Sequence, residues 1–524
     1  MVMHANERLA LLAVVLSAAV GCRELAGIMD HYELDAGAAG DATSTEQPPA
    51  AGDDEGASSP EAATTPTTPK PEGGLPPVVD ASGGDAFDAT VALDTGADSS
   101  DSPSVLDTGA DSPESPSALD AAGDALDASS TDAGPAVAWR PFADPASWQT
   151  MDLSSISRSA DIGFIGGAFD GRYIYFAPWS TGVLMRYDTS LSFASSPAWA
   201  MFDLTTVDSR AGGFEGAVFD GRFVYLIPNS TTGSLTMQCD TTSSGGCLSA
   251  GSWTVFSLAA VDDAGTEYAG GVYDGRYIDY IPNVGPAGAG LGVVLARYDT
   301  LSDGGLASSG SWSTVATNTL AAGLSDFFGA VYDGRRTYFV PNAFGPLAIN
   351  DPTQPLAASA AWNSIDLSSV SDAASSGTWA TGAFDGRYVY LAPFAAHGAA
   401  MRCDTQGAGC AAKTAWTPFS MDALDDAGVG GMVGTAFDGR YVYFAPRTGS
   451  IAVRVDTTAA FDDTASWSSF DLTLLGAAAS PGYWGAVFDG EFVYFVPFGN
   501  SLAVRFDARL PPAPPGSPTW GSTF

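Results

Sequence analysis

Histidine, cysteine and carboxylate side chains set the limits of what this chain can do as chemistry. Of its three histidines, His4 and His31 lie in the first 40 residues, and only His397 falls within the aromatic-rich remainder. A Ser-His-Asp triad would have to use His397, yet no G-x-S-x-G elbow is present to supply the nucleophile. A metal site built on several histidines is excluded by count, so neither metal nor cofactor is expected. Carboxylates are plentiful, with 60 Asp and Glu, and two of them at a suitable separation would serve glycoside hydrolysis. The five cysteines divide into Cys22 and two close pairs, Cys239 and Cys247 in "CDTTSSGGC" and Cys403 and Cys410 in "CDTQGAGC". In an exported chain such pairs read as two local loop disulfides.

These residues must be positioned by a repeated unit. "AFDGRYIYFAP", residues 168–178, returns six times in altered form, and the Asp of each Asp-Gly falls at 170, 220, 274, 333, 385, 438 and 489. A period near 53 residues without helical patterning points to a propeller or another repeat array. Each unit reads as four strands. A small-residue strand such as "GGAF" runs into Asp-Gly, which suits a tight hairpin turn. "RYIYFAP" follows, ended by Pro, then "VLMRYD", a variable loop and "WAMFDL". The second strand is apolar on both faces, as in a sheet covered on both sides. The expected fold is therefore all-β, a seven-bladed β-propeller of four-stranded antiparallel blades over residues 138–524, preceded by a disordered linker. Trp148, Trp199, Trp253, Trp312, Trp362, Trp416, Trp467 and Trp520 mark the fourth strand, one more than seven blades need. Because "WQTMDL" is complete and "WGSTF" stops mid-strand, the N-terminal segment is expected to close blade seven.

The order of features in "FDGRYVYFAP … RVDTTAAFDDTASW", residues 437–467, resembles the kelch repeat, with its usual Gly-Gly replaced by a residue and Pro and a longer gap before Trp. The resemblance spans roughly residues 140–524 and implies architecture only. The sialidase Asp-box pattern is absent.

The Asp-Gly-Arg turns look like a repeated ligand motif, but turn chemistry and Asp–Arg pairing between adjacent blades explain them. Positions that vary among the repeats are more informative. First-strand starts and second-strand ends share one face, around the mouth of the central channel. Phe164, Phe214, Tyr268 and Trp379 stand at first-strand starts, with Glu215 and Trp484 beside this position; Trp179, Asn229, Asn283, Asn342, Phe394, Arg447 and Phe498 follow the strand-ending prolines. Aromatic, amide and charged groups in this mixture suit stacking on sugar rings or a protein hot spot.

The start of the chain supplies an address. One apolar run from Leu9 to Val20 is too short to span a bilayer but suits a signal-peptide core. The four residues Ala19-Val20-Gly21-Cys22 resemble the lipobox of bacterial lipoproteins, which implies lipidation of Cys22 and a signal peptide over 1–22. Residues 23–137 hold 24 acids against Arg23 and Lys70, a net −22 of the total −39. This Ala/Asp/Ser/Pro-rich segment has too few apolar groups to offset its ordering entropy and is expected to be a disordered tether. Its acidity argues against nucleic acid as a partner. The expectation is an exported outer-membrane lipoprotein, held to the membrane by its N-terminal lipid, whose propeller binds carbohydrate or protein at the channel mouth. The alternatives are a polysaccharide-acting enzyme with carboxylate catalysts and a structural envelope protein.

Overall fold

A computed structural model describes residues 137–510 apart from 158–162, 230–233, 263–266, 284–293, 321–323, 325, 343–344, 371–376, 425–428 and 477–481. Cys22, the acidic segment and Trp520 lie outside the described residues. Among those described there is no long helix, and none is apolar and long enough to cross a membrane.

Seven four-stranded antiparallel sheets carry the fold. Blade 1 shows the plan: an inner strand Phe164–Phe169, a second Tyr173–Pro178, a third Val183–Asp188 and an outer strand Trp199–Asp203. Inner strands of consecutive blades lie against one another, and the ring closes where Tyr483–Phe488 meets Phe164–Phe169. Seven apolar clusters fill the spaces between neighbouring blades and an eighth lies on the axis. Each outer strand opens with a buried Trp whose indole N–H donates to the carbonyl six residues earlier, as Trp199 does to Phe193 at 2.9 Å and Trp467 to Phe461 at 2.8 Å. That bond satisfies the one polar atom of a ring otherwise packed in hydrocarbon.

Blade seven joins both halves of the chain. Trp148–Asp152 pairs with Leu502–Asp507, so Trp148 fills the outer-strand place. A second tie, Ala138–Trp139 with Arg509–Leu510, lies next to it. Both cysteine pairs form disulfides, with Cα atoms 5.6 Å apart for Cys239–Cys247 and 5.7 Å for Cys403–Cys410. They stand where blade 1 has the Tyr187–Phe193 contact, since Trp253 and Trp416 donate to the carbonyls of Cys247 and Cys410 as Trp199 does to Phe193. A covalent bond replaces an aromatic pair under the same indole.

Candidate binding face

Two rims bound the propeller, and the chain treats them differently. At the turn rim, Asp170 closes the blade 1 hairpin: one carboxylate oxygen accepts the backbone N–H of Arg172 (2.9 Å) and Tyr173 (2.6 Å), and the other accepts the Tyr175 hydroxyl (2.7 Å). Gly171 between them has φ of +100°, which an L side chain adopts only at a cost. The same Asp–Tyr hydroxyl bond recurs in blades 2, 4, 5, 6 and 7. Blade 3 carries Asp279 in the Tyr place, and Asp279 forms a buried ion pair with Arg297, which also donates to Asn350 of blade 4 at 2.8 Å.

Five arginines of these turns pair within their own blade, not with the adjacent one as the sequence reading expects. Arg172 reaches Asp188 at 2.8 Å, and Arg222, Arg276, Arg387 and Arg440 reach Asp240, Asp299, Asp404 and Asp456 at 2.7 Å. The reason is geometric: the turn and the end of the third strand are neighbours across one sheet, in the register Tyr173↔Asp188. Blade seven has Glu491 in the Arg place, and there Arg140 from the N-terminal segment reaches Asp507 at 3.2 Å. The N-terminal segment that leads into the closing strand thus brings the missing cation with it.

The opposite rim is the channel mouth. Every inner strand is bulged near its start; in blade 1, Phe164 pairs with Pro178 and Gly167 with Phe176, so three steps on one strand oppose two on the other. A bulge re-aims the side chains around it. Here it places the first residue between blades and the second on the axis. Phe164, Phe214, Tyr268 and Trp379 are therefore packed in the inter-blade cores at 0–1% exposure, with no surface to offer a ligand. This corrects their place among the contact candidates. The axis is instead lined by the next position, Ile165, Ala269, Phe328, Ala380, Val433 and Trp484, with Glu215 as its one ionisable member. The sequence signal for the slip was present: Gly166, Gly216, Gly270, Gly434 and Gly485 follow these residues with φ between +73° and +138°.

All seven residues after the strand-ending prolines are half-buried at the mouth. Their backbone is shared: Trp179, Asn229, Phe394, Arg447 and Phe498 each donate a backbone N–H to the residue just before their blade's inner strand. Their side chains divide the mouth in two. From blade 4 round to blade 1 it is aromatic: Phe394 packs on Phe328 at 4.9 Å, Trp484 on Phe498 at 5.0 Å, and Trp179 on Phe498 at 6.4 Å, while the Arg447 guanidinium lies 4.1 Å over Phe394. From blade 2 to blade 4 it is polar. Asn229 donates to Glu215 and to the Tyr268 carbonyl, Asn283 faces Glu267 in register, and Asn342 donates to Asp326 at 3.4 Å. Burial pushes the Glu215 carboxyl up to about 8, with the nearby charge of Glu267 adding to it, and burial also raises Glu267.

His397 lies on the surface with its Nδ1 atom 2.6 Å from Asp422. No group of three His, Cys, Asp or Glu able to hold a metal occurs among the described residues.

No family model and no curated protein matches the chain. Among solved structures, a streptogramin B lyase is 10% identical over 69% of this chain and 97% of its own, with a TM-score of 0.46. A virginiamycin B lyase from Staphylococcus aureus is 11% identical over 69% and 98%, at 0.44. PorZ, a bacterial surface component of the type-IX secretion system of Porphyromonas gingivalis, is 11% identical over 71% of this chain and 39% of its own, at 0.42. The seven-bladed fold rests on the chain's own sheets, and no activity passes from those proteins to this one.

Proposed function

We propose that this is an exported binding propeller that engages a carbohydrate or protein ligand through its channel mouth. The observation that carries the reading is the contrast between a backbone frame shared by all blades and side chains at the mouth that differ from blade to blade. A single defined ligand needs such asymmetry, whereas a purely structural ring does not. The two disulfides support an oxidising compartment, and Cys22 in its lipobox-like setting supports an outer-membrane lipid anchor. The chain enters the propeller at the turn rim, where Trp139 packs edge-on against Tyr441 at 5.8 Å and Arg509 donates to the Asp438 carbonyl.

The test is a glycan and surface-protein array probed with the full chain. Trp179→Ala and Arg447→Ala should each weaken the ligand so found by about 1–3 kcal/mol while the unfolding midpoint holds. Loss of stability with unchanged affinity would mean these side chains only cap the axis. A second reading, hydrolysis of polysaccharide with Glu215 as general acid, is favoured by its raised pKa. Release of reducing ends by the wild type and not by Glu215→Gln would support it.

A further inference from the structure

We infer that the mouth receives a peptide segment presenting a lysine or arginine side chain, whose cation meets Glu215 and Glu267 at the boundary of blades 2 and 3. The inference rests on the mouth being the binding face. Glu215 is 4% exposed on an otherwise apolar axis, and Asn229 is its hydrogen-bond donor. Glu267 stands beside it, and no lysine or arginine among the described residues forms an ion pair with either carboxyl. Two carboxyls sharing a desolvated site without a cation are costly to ionise together, and an incoming ammonium or guanidinium removes that cost.

A second observation comes from the other side of the axis. The Trp484 indole N–H is buried and has no acceptor, although its ring is 8% exposed and packs among the mouth residues Phe328, Phe394 and Phe498. None of its six counterparts in position carries an N–H donor on its side chain. The site therefore lacks both a cation for its carboxyls and an acceptor for its N–H. A peptide brings both, a basic side chain and a backbone carbonyl. A sugar hydroxyl would hydrogen-bond to Glu215 but bring no charge to hold it ionised. The apolar axis suits the methylene stem of such a side chain. Charge favours the same partner, because −22 for residues 23–137 and zero for 1–22 leave −17 of the total −39 on residues 138–524. When the cation arrives, the proton held on Glu215 leaves to solvent and the carboxylate pairs with the ligand.

A positional-scanning hexapeptide library presented to the full chain tests this. Lysine or arginine should be enriched at one position. Replacing that residue by norleucine in the tightest peptide should cost at least tenfold in affinity, and Glu215→Gln or Glu267→Gln should cost a similar factor. The norleucine peptide should bind wild type and Glu215→Gln alike. Affinity for the basic peptide should rise between pH 6 and 8 in the wild type and stay flat in Glu215→Gln. No enrichment, or enrichment of acidic or neutral residues, overturns the inference. So does binding of neutral oligosaccharides that depends on Trp179 and Phe498 but not on Glu215, which would leave the mouth as the binding face. Peptide binding abolished by Arg222→Ala and indifferent to Glu215→Gln overturns both.

Discussion

The turn rim and the mouth are made by the same strands, yet one repeats and the other varies. At the turn rim, Asp170 and its six counterparts hold two backbone N–H groups at every blade. The hairpin demands this, so the residues are the same each time. At the mouth, the backbone N–H of the post-proline residue does the holding, and the side chain differs from blade to blade. Repetition there marks what the backbone leaves to side chains, and variation marks what it does not.

Asp438→Ala should have the largest effect. It removes the acceptor of the Arg440 and Tyr441 N–H groups and strands the buried Tyr443 hydroxyl. A loss of about 3–5 kcal/mol is expected in denaturant unfolding, with binding at the mouth intact at temperatures where the protein is folded. An equal loss of affinity would erase the distinction between the rims. Removing one disulfide by Cys403→Ala with Cys410→Ala should cost about 2–4 kcal/mol, read as a lower unfolding midpoint and again without effect on affinity.

Glu215→Gln should act in the opposite direction on stability. Burial holds the proton on Glu215 in the folded state up to about 8, against the ordinary 4.5 of a glutamate, so above the lower value the unfolded chain binds fewer protons than the native one. Stability then falls as pH rises through that window. The glutamine variant should be more stable than wild type, by a larger margin at pH 8 than at pH 5. A parallel pH profile in the two proteins would show that burial does not hold the proton. Smallest of all, Arg222→Ala removes an exposed ion pair to Asp240 and should change stability by less than about 1 kcal/mol and affinity by nothing measurable.

Much of the fold was legible in the residues because the repeats sample one structural demand seven times. Asp-Gly, the strand-ending Pro and the Trp each recur where a turn, a lost donor or a buried indole requires them. The closing strand was legible from Trp148 standing in a complete motif. The candidate site was less so. Simple alternation places Phe164 and its counterparts toward the mouth, and the bulge moves Ile165 and Glu215 there instead. A one-residue slip exchanges faces, and only the positive-φ glycines hint at it. The Arg140–Asp507 pair was hidden for another reason, since it joins residues that no repeat brings together.

The strand Trp148–Asp152 also has a place in time. It is synthesised before any blade, and its partner Leu502–Asp507 comes after nearly all of them. Closing so long a loop carries a large entropic cost that later contacts must offset. Until residues 502–507 are made, the earliest strand of the ring lacks its partner. An emerging chain carries that exposed edge until its last blade is made, and a chain cut short of residue 502 never covers it.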